Sequence, residues 1–132
     1  MEMDQKRNAE HYPDPTAYQA IRNAEPPRFP FRPIVYICSP YAGDVERNVL
    51  RARRYCRYAA DRGCILLAPH LLFPQFLNEK TERNLALFMG IALLSKCAAL
   101  WIFGESISQG MEVEIRYAQK KGKPIKYISE VI

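Results

Sequence analysis

The chain has 132 residues, the size of one domain on the usual range of about 100–150 residues, with 48% hydrophobic and 25% charged side chains. No window holds the ~18 uncharged apolar residues of a membrane span, and the N-terminus MEMDQKRNAEHYPDP has no apolar segment of a secretory signal; a cytoplasmic protein without a membrane partner is expected. The formal net charge of +5 lies outside residues 1–33, largely in the run Arg47, Arg51, Arg53, Arg54, Arg57 and Arg62, which reads first as a solvated helix face and second as an attractant for a phosphorylated ligand or for nucleic acid.

Residues 1–33 hold six of the ten prolines and read as an N-terminal arm. Pro13-Asp14-Pro15-Thr16 opens a short helix over 17–23, with Asp14 or Thr16 near its cap, and 25–33 reads as an extended linker. From Ile34 the pattern becomes that of a domain spanning 34–132. Ile34–Cys38 is a buried strand. Asp44 caps a helix whose apolar positions Val45, Val49, Ala52, Cys56 and Ala59 recur at helical spacing, and Gly63 ends it. Cys64–Ala68 is a second strand, stopped by Pro69-His70 and followed by a loop through Phe76. A helix over about 81–96, a strand over 98–103, a loop over 104–110, a helix over 111–121 and a strand over 124–128 complete the chain. Strands alternating with helices of this length predict βαβ units and a parallel sheet of four to five strands.

The cysteines at 38, 56, 64 and 97 form no CxxC pair and match no zinc spacing, so they read as structural thiols and no metal is expected. The loops at Gly43 and Gly104 are neither GxGxxG nor GxxxxGK[ST], which argues against a dinucleotide cofactor or a P-loop. No cofactor is expected. No aromatic–basic interleaving or nucleic-acid motif accompanies the arginines, so nucleic acid is not an expected partner.

Parallel sheets bind ligands beyond the carboxyl ends of their strands. Those ends are Ser39–Gly43, Pro69–His70 and Gly104–Gly110. Ser108 is a plausible N-cap with free N–H groups behind it, suited to an anion. Glu112 and Glu114 lie about 200° apart around their helix, so one is expected to face the crevice and the other solvent. Both also read as first-turn glutamates favoured by the helix dipole. His70 reads as a base, a substrate contact or a structural histidine; Tyr41 reads as packing or as a hydroxyl donor.

Residues 34–128 resemble the nucleoside 2-deoxyribosyltransferase superfamily, particularly a small-domain branch of unassigned function from bacteria and phages. The resemblance rests on YICSPYAGDVERNV, APHLLFPQFL and WIFGESISQGMEVEIRYAQKKGKPIKYI, in that order and spacing. It implies a flavodoxin-like or Rossmann-like parallel sheet flanked by helices, and homo-oligomers with sites near subunit contacts. The family's Ser/Asp-x-Gly-x-x-x-Glu-(Leu/Ile)-x-x-Ala pattern matches Ser108 through Ala118 and implies that Glu114 is the nucleophile. Ser108 would contact phosphate, Tyr41 would shape the sugar pocket, and His70 would meet substrate. With Ser39, Pro40, Gly43, Gly104, Gly110 and Glu112 on the same strand-end loops, these are the candidate substrate contacts.

The activity implied is a retaining displacement at C1′ of a deoxynucleoside or its 5′-monophosphate, completed by water or a second base. The helix N-terminus is expected to favour the ionised Glu114. The family's aspartate before the third strand has no counterpart in Cys97-Ala98-Ala99-Leu100, leaving His70 or Glu112 to protonate the departing base. A catalytically silent module binding a nucleotide or nucleotide signal is the alternative. An adaptor docking a protein through residues 1–33 is a third reading.

Overall fold

The computed structural model describes residues 30–129, so the helix expected over 17–23 lies outside the described residues. Strand β1 (Ile34–Cys38) is the centre of the design. Successive strand side chains point to opposite faces, and Val35, Tyr36, Ile37 and Cys38 are all at most 2% exposed. A strand buried on both faces is what covering helices on each side of a parallel sheet produce.

Asp44 caps helix α1 (Val45–Asp61) by accepting the Arg47 N–H at 3.2 Å. Ala52, Tyr55 and Ala59 form its buried stripe. Of the expected stripe, Ala52 and Ala59 are buried, Val49 and Cys56 are half-buried and Val45 is exposed. Tyr55 takes the core position because its ring stacks on Phe103, with centroids 4.6 Å apart. Gly63, at φ +81°, turns the chain into β2 (Ile65–Leu67).

After β2 a loop was expected. The chain instead makes a single turn of helix, α2 (Pro69–Leu72), followed by a 3-10 turn over Phe73–Gln75. Pro69 and Pro74 each sit in a first turn, where a missing N–H leaves no hydrogen bond unmade. Helix α3 (Arg83–Leu94), strand β3 (Ala99–Phe103), helix α4 (Gln109–Lys120) and strand β4 (Ile125–Ile128) complete the described fold. Helix α4 starts two residues before the expected position, directly behind its cap Ser108.

The four strands form one parallel sheet in the order β2-β1-β3-β4. On one face, Tyr36, Cys38, Leu100 and Ile102 pack with Leu94 of α3 and with Met111, Ile115 and Ala118 of α4. On the other, Val35, Ile37 and Phe103 pack with Tyr55 and Ala59 of α1. Each large apolar side chain so buried contributes roughly 1.5–3 kcal/mol before chain entropy is set against it. The strand order reverses at β1, because the chain leaves it first toward β2 and later returns to its other edge as β3. That reversal opens a crevice beyond the carboxyl ends of β1 and β3. Among the described residues no helix is long and apolar enough to cross a membrane.

Candidate functional site

A crevice of about 630 Å³ lies at this switch point, inside the range of roughly 300–1,000 Å³ found for small-molecule sites. The end of β1 contributes Tyr36, Ser39, Pro40 and Tyr41; α2 brings His70; α3 brings Arg83, Asn84 and Gly90; α4 and its cap bring Ser108, Gly110, Glu112 and Glu114. Of the residues expected at the site, Ser39, Pro40, Tyr41, His70, Ser108, Gly110, Glu112 and Glu114 therefore meet. Gly43 and Gly104 do not line this crevice. Gly43 (φ +97°) serves the turn into α1, and Gly104 (φ +92°) lines an adjoining recess.

Glu114 is held from the sheet. The Tyr36 hydroxyl donates to its Oε2 at 2.5 Å, and the Cys38 thiol donates to its Oε1 at 3.3 Å. Tyr36 and Cys38 are two apart on one strand and so share a face, which aims both donors at the same carboxylate. Burial raises the Glu114 carboxyl above its ordinary value, and the hydrogen bonds from Tyr36 and Cys38 act in the opposite direction. Burial, followed by the neighbouring Glu114 charge, pushes both the Tyr36 phenol and the Cys38 thiol up, so both remain protonated donors. The helix N-terminus was expected to favour this charge, but Glu114 is the sixth residue of α4. The dipole's influence fades beyond the first turn. Tyr36 and Cys38 take over that role.

Gly90 makes this arrangement possible. A Cβ at that position would stand 2.9 Å from the Tyr36 hydroxyl and 3.7 Å from Glu114 Oε2. The first distance is too short for real atoms, so the glycine of α3 is what lets the phenol reach the carboxylate.

Across the crevice, Ser39 Oγ and His70 Nε2 share a hydrogen bond of 2.8 Å. Ser39 is the buried polar residue at the end of β1. Burial lowers His70 to about 4, leaving the imidazole uncharged at neutral pH. Ser108 Oγ accepts from the Met111 N–H at 3.2 Å, while the Met111 sulfur accepts from the Ser108 N–H at 3.5 Å. Glu112 and Glu114 both reach the crevice, but Glu112 stands exposed at its rim while Glu114 is largely enclosed. The two carboxylates thus separate into an inner and an outer group, as their 200° offset requires.

Sequence reasoning missed Tyr36, Cys38, Arg83, Asn84 and Gly90. Tyr36 and Cys38 read as core because they are core: each is 1% exposed, and only its polar tip reaches Glu114. Gly90 did carry a signal. An isolated glycine inside a helix costs about 1 kcal/mol against alanine, a cost that a close approach can offset. Among the described residues no group of three or more His, Cys, Asp or Glu side chains is placed to hold a metal ion.

Comparison with curated proteins returns no match. A family model does match, over residues 33–128, and its span takes in β1 through β4 and every residue of the crevice described above. The chain belongs to that family, a domain of unknown function designated DUF7768.

Proposed function

We propose that the crevice cleaves or transfers the N-glycosidic bond of a (deoxy)nucleoside or nucleoside 5′-monophosphate, with Glu114 as the nucleophile. The observation that carries this reading is a largely buried carboxylate held by two neutral donors, Tyr36 and Cys38, at the wall of a small-molecule crevice. A structural carboxylate in such a place would be expected to meet a cation. Among the described residues none pairs with Glu114, so its charge is left for a substrate carbon. Fixed donors also hold its oxygens in place, as an attacking group requires.

In this mechanism one oxygen of Glu114 forms a bond to C1′, and the electrons of the C1′–N bond leave with the base. Water or a second base then attacks C1′ and releases the carboxylate. His70 is uncharged at neutral pH, so it serves as a hydrogen-bond partner with Ser39 and not as a resident acid. The departing base takes its proton from the open side of the crevice, where Glu112 stands. A cytoplasmic location belongs to the same reading, in keeping with four cysteines that are all free thiols. So does self-association, since Leu85 and Phe88 expose apolar surface on the helix that lines the crevice.

The alternative, a silent nucleotide-binding module, draws on the absence of an acid at Ala98-Ala99 together with the neutral His70. Free-base release, followed by chromatography over a panel of nucleosides, deoxynucleosides and their 5′-monophosphates, separates the two. Release by the wild type but not by Glu114→Gln is the expected result. Saturable binding of one panel member without release would transfer the crevice to the silent module. Full turnover in a folded Glu114→Gln protein would remove the nucleophile assignment.

A further inference from the structure

We infer that the crevice continues into a second recess that receives the phosphate chain of a nucleoside 5′-polyphosphate, gripped by Arg47 and Arg51. The inference deepens the nucleotide reading above and rests on it.

The second recess encloses about 430 Å³ and shares Pro40, Ala42 and Ser108 with the main crevice. The two hollows therefore adjoin along one wall, and the proposed ligand lies across it. Arg47 and Arg51 line the recess from α1. Four residues apart, they lie one above the other on the same side of the helix.

Three features single these arginines out. First, neither guanidinium has a partner among the described residues, although Asp44 and Glu105 line the same recess. Arg57 of the same helix, by contrast, pairs with Asp61 at 3.1 Å. Second, the neighbouring polar groups are already committed. Asp44 caps α1, and Asn48 donates to the carbonyl oxygens of Tyr41 at 3.1 Å and Ala42 at 3.0 Å, fixing the partition between the hollows. Third, Arg47 sits in the first turn of α1, the end of a helix where a cation is disfavoured by the dipole. Helix stability gives no reason for it to be there. A ligand anion does.

The main crevice has the opposite character. Glu79, Glu112 and Glu114 line it against one cation, Arg83, so a polyphosphate would be repelled from it. A nucleoside placed at Glu114 would direct its phosphates past Ser108, whose hydroxyl accepts from Met111 and keeps its own proton free to donate. Beyond Ser108 the next donors are the two guanidinium forks, whose planar geometry matches phosphate oxygens in pairs.

The test is calorimetric binding with the full chain carrying Glu114→Gln, which prevents turnover, and with the same chain also carrying Arg47→Gln and Arg51→Gln. The probes are deoxyadenosine, deoxyguanosine, deoxycytidine and thymidine, each as nucleoside, 5′-monophosphate and 5′-triphosphate. Both arginines are exposed, and far-UV circular dichroism verifies that the variants fold. For whichever base binds, the triphosphate should bind at least tenfold more tightly than the monophosphate. The double arginine variant should lose that gain while keeping its affinity for the nucleoside. Equal affinity for mono- and triphosphate, or a gain that survives in the arginine variant, overturns the inference. An arginine-dependent gain, with no base released from any nucleotide by the wild-type chain assayed in parallel, would uphold the recess and discard the N-glycosidase. Base release from a monophosphate by the wild-type chain, with no preference for the triphosphate in the binding series, would do the reverse. No binding by any probe would discard both.

Discussion

Replacing Gly90 with alanine sets two effects of known sign against each other. In the interior of α3, Gly→Ala favours the helix by about 1 kcal/mol. The new Cβ would stand 2.9 Å from the Tyr36 hydroxyl, against an ordinary contact of roughly 3.5–4 Å, so the hydroxyl must retreat by half an ångström or more. Tyr36 is 1% exposed, leaving its ring little room to move. The 2.5 Å hydrogen bond to Glu114 would therefore be lost or badly stretched, and a buried hydrogen bond to a charged group contributes roughly 1.5–3 kcal/mol. The loss exceeds the gain by about 1 kcal/mol, which lowers the melting temperature of a domain this size by about 4–8 °C. Because the Tyr36 bond holds the Glu114 carboxyl down, the variant should also protonate Glu114 at higher pH. Thermal unfolding at pH 7, with the Glu114 carboxyl followed by NMR across a pH series, measures both. A Gly90→Ala protein that gains stability while Glu114 titrates unchanged would show that the contact places no constraint on the site.

Two further predictions concern pH. Glu114→Gln should be more stable than the wild type at neutral pH, because the raised carboxyl binds its proton more readily when folded and so loses stability as pH rises. The advantage should be absent below the ordinary value of 4.5 and grow as pH climbs through the raised one; urea unfolding at several pH values reads it directly. His70 has the opposite sign. Its depressed value means that the stability it contributes is complete above 6.5 and is lost as pH falls toward about 4, an effect on the order of 3 kcal/mol. His70→Asn should flatten the melting curve across that window, and an unaltered acid limb in the variant would show that His70 is not the group responsible.

Much of the fold was legible because its signals are local. The β-branched run at Ile34–Cys38, the cap at Asp44, the stop at Gly63 and the cap at Ser108 each follow from the conformational needs of a few neighbouring residues. The short helix at Pro69 was not, since a proline after a strand serves equally as a stop and as a first helical residue. The site divides in the same way. Glu114, Ser108, Tyr41 and His70 stand on strand ends and helix starts, where polar residues are conspicuous. Tyr36, Cys38 and Gly90 are interior residues of apolar elements, and their role arises from contacts 76 and 78 positions away along the chain and from a close approach between α3 and β1. The isolated glycine at position 90 is the one local mark of this meeting, and no local pattern pairs Tyr36 or Cys38 with Glu114.

The central position of β1 also bears on how the domain is made. Of the described strands β1 and β2 emerge first during synthesis, and their pairing covers Ile34 to Tyr36 on one edge only. The other edge of β1 waits for β3, whose partners for Val35 through Cys38 begin at Ala99. Until some sixty further residues have left the ribosome, an apolar strand stays open on that edge, the condition in which nascent chains pair wrongly or recruit a chaperone. Contacts so distant along the chain also slow folding. Glu114 arrives later still, so the crevice is assembled only after the sheet has closed around β1.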